Sequence, residues 1–135
     1  MRWLLEMPPP SLNLLAGWIG MLAGVVSGGV IGLYFHDERW LGGYGTFRRR
    51  LLRLGHISFF GLGFLNILFG LTASVVALGD PYLAVASIAL VAAAATMPAC
   101  CFLSAWREPL RVLFPIPVIA TATGIVCVLA GWRAP

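Results

Sequence analysis

Apolar and polar positions are segregated along this chain into long blocks. No Asp, Glu, Lys or Arg occurs in residues 12–35, 54–79, 81–106 or 112–132. Each block is long enough for a helix to cross bilayer hydrocarbon, which takes about 20 residues, and a chain in hydrocarbon must satisfy its own backbone as a helix. The pattern predicts an all-α integral membrane protein, one domain forming a bundle of four transmembrane helices with short loops. The predicted spans are approximately 12–35, 51–79, 82–106 and 111–132.

The polar stretches between the blocks predict two short connections and one long one. Residues 79–81 read Gly-Asp-Pro, which is a tight-turn signal, and residues 107–111 form a short polar link. Residues 36–50, rich in glycine and charge, form the long loop. Residues 1–11 contain three consecutive prolines and no small-residue cleavage site, so they predict an interfacial lead-in with a proline stop before the first helix, not a secretory signal.

Composition supports lipid as the surrounding solvent. The chain has 135 residues, of which 60% are hydrophobic and 10% charged, whereas soluble domains carry about 25% charge. The formal net charge of +4 comes from nine basic residues, all arginine. Because these arginines lie beside apolar spans, they indicate membrane topology and not a nucleic-acid partner.

The distribution of arginine predicts the orientation. Cytoplasmic loops of membrane proteins carry an excess of basic residues. We therefore expect the 36–50 and 107–111 loops in the cytoplasm of a bacterium, the protein in its inner membrane, and both termini on the periplasmic side. Only Arg2 and Arg133 lie on that side, against seven arginines on the other: Arg39, Arg48, Arg49, Arg50, Arg53, Arg107 and Arg111.

A stripe of small residues follows one face of the first span. Gly20, Gly24, Gly28 and Gly32 recur at every fourth position after Ala16, which makes three overlapping GxxxG motifs. Small residues at this spacing let a neighbouring helix approach closely in lipid. The partner is either another helix of this chain or another subunit, and the sequence alone leaves both possibilities open.

The second span has its own ordered face. His56, Gly63, Asn66 and Gly70 are separated by helical spacings. Asn66 is a strongly polar residue in an apolar span, so we expect it to point into protein and to hydrogen-bond across helices.

Both histidines adjoin the long loop and are candidate cofactor ligands. His36 ends the first span and His56 lies in the opening turns of the second, so the sequence places them at similar depth. Two such imidazoles are the axial ligands of a haem b, and a chlorophyll-type pigment is a related possibility. A divalent metal held by His36, Asp37, Glu38 and His56 is another. In the plainest interpretation no cofactor binds, the loop is solvated, and the two acids pair with nearby arginines.

The cluster of four arginines is a second candidate site. Haem propionates are one possible set of ligands for it; anionic phospholipid headgroups and an acidic partner protein are others. Its residues are Arg48, Arg49, Arg50 and Arg53.

What the sequence lacks narrows the function. Beyond the arginines at the start of the second span, no span carries an acidic or basic residue in its interior, which disfavours an ion-coupled transporter. No catalytic motif is present, so we expect no enzyme. The three cysteines lack metal-site spacing and are assigned to packing; they are Cys100, Cys101 and Cys127.

These observations favour a small structural or accessory subunit of a larger bacterial inner-membrane complex, respiratory or photosynthetic. It would dock on other integral membrane subunits through the glycine face of span one or the polar face of span two. The alternative is a haem-b electron-transfer protein that uses His36 and His56. A third hypothesis is a small-molecule channel or transporter that works as a homo-oligomer, and a water-filled crevice around Asn66 would support it.

Overall fold

The structure, a computed structural model, describes residues 8–132. In this range the chain forms four long helices: α1 (Pro9–Leu33), α2 (Phe47–Val75), α3 (Tyr82–Trp106) and α4 (Pro115–Gly131). All four are long and apolar enough to cross a membrane, the fourth together with the 3₁₀ turn Glu108–Leu113 that precedes it. The predicted all-α architecture with four spans is confirmed. Most of the predicted N-terminal lead-in lies outside the described residues.

Two helices begin earlier than predicted, each for a local reason. α1 begins at Pro9, so it includes prolines that were predicted to precede the helix. Proline suits the first turn because its missing N–H would have no helical partner there. α2 begins at Phe47 because the Thr46 hydroxyl caps the helix by accepting a hydrogen bond from the Arg49 N–H at 3.4 Å.

α3 is the central helix of the bundle. It packs against α1, α2 and α4, and neighbouring helices along the chain run antiparallel. Its buried positions are mostly small side chains, which let three neighbours approach one helix. These positions include Ala86, Ser87, Ala93, Cys100, Cys101 and Ala105.

The end of the bundle opposite the arginines is closed by backbone contacts. Leu78 and Trp132 form an isolated antiparallel bridge, and the Gly79 N–H donates to the Gly131 carbonyl at 3.0 Å. These contacts tie the α2–α3 connection to the end of α4.

The glycine stripe of α1 lies against α2 of the same chain. A Cβ added at Gly20 would lie 3.3 Å from the Phe59 carbonyl, and one at Gly24 would lie 2.7 Å from the Phe60 ring. A Cβ at Gly28 would overlap the His56 ring, whereas one at Gly32 would meet nothing within 4 Å. Three of the four stripe positions are therefore covered by α2 itself. α2 occupies this face from Gly20 to Gly28, and docking of another subunit through the stripe stays a prediction for which only the Gly32 end leaves room.

Two glycines of α2 lie in the same contact between α1 and α2, which we call the glycine seam. A Cβ at Gly63 would lie 3.0 Å from the Gly17 carbonyl, and one at Gly70 would lie 2.9 Å from the Pro10 carbonyl. Both helices contribute glycine where their backbones meet, so this side of the polar face of α2 also packs internally.

A buried hydrogen-bond network joins three helices near the end opposite the arginines. Asn13 and Asn66 are each 0% exposed, and the Asn13 Nδ2 donates to Asn66 Oδ1 at 2.7 Å. The Asn66 Nδ2 donates to the carbonyls of Leu62 and Leu90, at 2.9 and 3.0 Å. The Ser87 hydroxyl donates to Asn13 Oδ1. Asn66 thus points into protein and bonds across helices, as its place in an apolar span predicted.

Candidate functional site at the arginine-bearing end

The structure places the long loop at residues 34–46, between α1 and α2, and gives it a defined conformation. A 3₁₀ turn spans Trp40–Gly42, and the backbone is left-handed at Leu41, Gly42 and Gly43, with φ of 56°, 84° and 114°. Glycine adopts such angles without strain, which explains the Gly-Gly pair in this loop. The Thr46 hydroxyl lies 3.0 Å from the Leu41 carbonyl and 2.9 Å from the Gly43 carbonyl, so the residue that caps α2 also fixes the turn.

Arg49 is buried against the long loop and hydrogen-bonds to its backbone. Its side chain is 3% exposed. The guanidinium donates to the Phe35 carbonyl at 3.1 Å and to the Glu38 carbonyl at 3.5 Å. Its carbon also lies 5.3 Å from the centres of the Trp40 and Tyr44 rings. Carbonyl dipoles and aromatic faces therefore surround this cation.

No carboxylate accompanies Arg49 in the described part of the chain. The ion pair found there joins Arg111 to Glu108 at 3.6 Å, with both side chains about two-thirds exposed, so it adds little stability. Asp37 instead accepts a hydrogen bond from the Arg39 N–H at 2.9 Å. The expected pairing of Asp37 and Glu38 with nearby arginines is corrected: the turn uses the Asp37 carboxylate locally, and the loop offers Arg49 backbone oxygens.

The four arginines that the sequence grouped together separate into two pairs. Arg53 donates to the Tyr44 carbonyl at 3.4 Å and lies 4.7 Å from the Tyr44 ring, so Arg49 and Arg53 both serve the loop. They are four residues apart and share one helix face. Arg48 and Arg50 are exposed on other faces, where headgroups can reach them.

The two histidines lie at different levels. His56 is part-buried between α1 and α2, where its Nδ1 is 3.1 Å from the Ser27 hydroxyl and its ring packs over Gly28. His36 is exposed beyond the end of α1 at Leu33. The five helical steps from Gly28 to Leu33 span about 7.5 Å along the helix. The expectation of similar depth is therefore corrected, and the structure does not bring these imidazoles together as a ligand pair.

The predicted metal site would need a cluster of ligand side chains in residues 8–132. No group of three or more His, Cys, Asp or Glu side chains in that range is close enough to hold a metal ion. His36, Asp37, Glu38 and His56 all lie within it, and His56 is directed at α1, away from the loop that carries the two acids.

A cleft opens between the start of α2 and the end of α3. Its first cavity has a volume of about 440 Å³ and its walls include Gly42, Arg48, Ser104 and Glu108. An adjoining cavity of about 560 Å³ shares Leu41, Arg48 and Ala105 with it. The further walls of this second cavity are Leu52, Phe102, Trp106 and Arg107.

Three features of the structure were missed in the sequence, the first of them away from this site. Asn13 and Ser87 complete the Asn66 network, and Asn13 could have been recognised as a second amide in an apolar span. Arg49 differs from its neighbours, and the i, i+4 spacing to Arg53 was the available signal. The buried Ser104 in the cleft wall carries no sequence signal, because serine is common in membrane helices.

Comparisons of the chain with models of known protein families, with curated protein sequences and with solved structures gave no match. Its function is therefore inferred from its own geometry.

Replacing Arg49 should loosen the long loop without unfolding the bundle. In Arg49→Met, the Phe35 and Glu38 carbonyls lose their donor and the aromatic rings lose their cation. We expect amide hydrogen exchange in residues 34–46 to accelerate about tenfold or more, since hydrogen bonds to a charged group are worth about 1.5–3 kcal/mol. Arg49→Lys should rescue little, because an ammonium lacks the planar fork.

Arg50→Met is the matched control, since Arg50 is adjacent and exposed. Equal acceleration in Arg49→Met and Arg50→Met would show that burial of Arg49 does not hold the loop.

Proposed function

We propose that the protein is a small accessory subunit of a bacterial inner-membrane complex, and that it docks on another integral membrane subunit through the long loop. The observation that carries this proposal is the buried Arg49. A buried cation without a carboxylate is costly to desolvate, and here it fixes the shape of a surface loop. A loop whose only role is to connect two spans has no need of that device.

The fixed loop presents varied chemistry on its outer surface. Aromatic, acidic, basic and imidazole side chains are all exposed there, and a partner can recognise such a mixture. These exposed residues are Tyr34, Phe35, His36, Asp37, Glu38, Arg39 and Tyr44.

The membrane interior supports a static role. Beyond Arg53, the four helices carry no Asp, Glu, Lys or Arg, and ion-coupled transport uses such groups at depth. Asn66, around which a water-filled crevice was considered, is fully buried and both its amide hydrogens are used. Because α2 covers most of the glycine stripe of α1, we place docking on the loop and not on that stripe.

The proposed setting follows the arginine distribution. The loop would lie in the cytoplasm and both termini on the periplasmic side, so the partner would present a cytoplasmic surface beside its own spans. A respiratory or a photosynthetic complex would both satisfy this description.

Isolation from host membranes in mild detergent tests the proposal. We expect the native protein to co-purify with a larger assembly, and Asp37→Asn with Glu38→Gln to reduce recovery of that assembly several-fold. Both substitutions keep hydrogen-bonding capacity and remove only charge.

Asp80→Asn is the matched control, because Asp80 is an exposed acid at the opposite end of the bundle. A native protein that stays monodisperse and alone would refute the accessory role. Equal losses in the Asp80 variant and the loop variant would refute the loop as the docking surface.

A further inference from the structure

We propose that the cleft between the start of α2 and the end of α3 is a binding site for one anionic phospholipid of the leaflet at the arginine-bearing end. Its phosphate would lie between Arg48 and Arg107 near the Ser104 hydroxyl, and its acyl chains would follow the apolar wall toward the membrane interior. This site is independent of the docking role.

The first observation is an orphaned hydroxyl in the cleft wall. Ser104 is 1% exposed, and its Oγ is the buried side-chain polar atom without a hydrogen-bond partner in residues 8–132. Several other hydroxyls in these helices bond back to their own backbone: Ser27 to Gly24, Ser58 to Gly55 and Thr96 to Ala92. Ser104, in the last turn of α3, makes no such hydrogen bond. An unpaired buried hydroxyl is costly, and a polar ligand in the first cavity, which Ser104 lines, would satisfy it.

The second observation is the charge around the two cavities. Arg48 lines both of them, and Arg107 lines the second. The acid in the first cavity, Glu108, is paired with Arg111. Arg48 and Arg107 are therefore the cations that remain for a ligand, and the guanidinium fork matches phosphate oxygens. Arg49 and Arg53 are excluded because the loop engages them.

The third observation is the apolar wall. Leu52, Phe102 and Trp106 line the second cavity beside the two arginines. α2 begins at Phe47 and α3 ends at Trp106, so the cleft lies at one end of the bundle. In a membrane, its charged rim would face the headgroup layer and its apolar wall would face hydrocarbon. The combined space is of the size that small-molecule sites occupy, roughly 300–1,000 Å³. A charged head joined to an apolar tail fits this gradient, whereas a free anion would use only the rim.

Native mass spectrometry of the full chain in detergent, titrated with phosphatidylglycerol, measures occupancy. We expect one retained lipid on the native protein and about tenfold weaker retention when Arg48→Gln and Arg107→Gln are combined. Arg50→Gln is the matched control and should retain the lipid as the native protein does. Equal loss in the control would reduce the effect to general surface charge and overturn the site.

Ser104→Ala separates a ligand contact from a structural role. Without lipid, this variant should be as stable as the native protein or more so, because the orphan hydroxyl is gone. With phosphatidylglycerol, it should gain less thermal stability than the native protein gains. An equal gain in both proteins would show that the hydroxyl does not contact the ligand.

Two further ligands identify the source of the anion. Phosphatidylcholine, whose headgroup has no net charge, should be retained poorly, and equal retention would overturn the role of the arginines. Inorganic phosphate at millimolar concentration should not displace the bound lipid. If it did, the cleft would be a site for free phosphate and the lipid proposal would fail.

Discussion

Asn66→Leu should destabilise the bundle by about 1–3 kcal/mol, the range expected when a buried polar group loses its partner. Leucine has as many side-chain heavy atoms as asparagine and the same branching, so the substitution leaves no cavity and the loss comes chiefly from hydrogen bonding. The Leu90 carbonyl would lose its cross-helix donor and the Asn13 Nδ2 would lose its 2.7 Å acceptor. Unfolding in mixed micelles, followed by circular dichroism as the denaturing detergent increases, measures the difference.

Thr96→Val is the matched control for this substitution. The Thr96 hydroxyl also lies in a span, but it donates to the Ala92 carbonyl of its own helix at 2.7 Å. We expect its loss to change stability by less than about 0.5 kcal/mol, as at sites without a buried network. If the Asn66 and Thr96 variants lost the same stability, the cross-helix network would contribute nothing.

The double variant Asn13→Leu/Asn66→Leu tests whether the two amides act as a unit. Removing both partners leaves no unpaired amide, and such a replacement is often nearly neutral. Ser87 would still have the Pro9 carbonyl, at 3.4 Å. We therefore expect the double variant to lose less stability than the sum of the single variants. Strict additivity would contradict the network.

Gly17→Ala should also destabilise the protein, by about 1–3 kcal/mol, the cost of overpacking a well-packed contact. The new Cβ would lie 2.7 Å from the Gly63 carbonyl oxygen. Because that oxygen belongs to the backbone of α2, the two helices must separate to accommodate the methyl group. The same detergent titration measures the effect.

Gly32→Ala is the control on the same helix, since its Cβ would meet nothing within 4 Å. Alanine is a better helix former than glycine by about 1 kcal/mol, so this variant should be neutral or more stable. The two identical substitutions thus have opposite expected signs. A loss at Gly32 as large as at Gly17 would show that the exposed end of the stripe contacts another molecule, and would return docking to that face.

The glycine contact between α1 and α2 was only partly predictable from the sequence. The spacing of Gly20, Gly24 and Gly28 predicted a close helix contact, because small residues permit one in any partner. It did not predict whether the partner was α2 or another subunit, since both present apolar surfaces in lipid. Only the arrangement of the helices decided that Phe59, Phe60 and His56 cover the stripe.

The arginine cluster shows the same limit. Arg48, Arg49 and Arg50 are consecutive, and the same charge pattern assigned all of them to headgroups or cofactor. Their fates differ because the 34–46 loop folds back over one helix face and supplies Arg49 with carbonyls from residues 11 and 14 positions away. Likewise, His36 and His56 flank one loop in sequence, yet only His56 faces α1.

By itself, the sequence determined the four spans and the polar end that carries the arginines. These features are local, because hydrocarbon excludes charge from each segment independently of its neighbours. The tertiary structure decided which polar groups find partners: Asn66 bonds to Asn13, Arg49 bonds to the loop, and Ser104 lines an open cleft without a partner in residues 8–132. A hydrogen bond tolerates only a few tenths of an ångström of variation in its donor–acceptor distance, and for groups on distant segments the helix arrangement alone sets that distance.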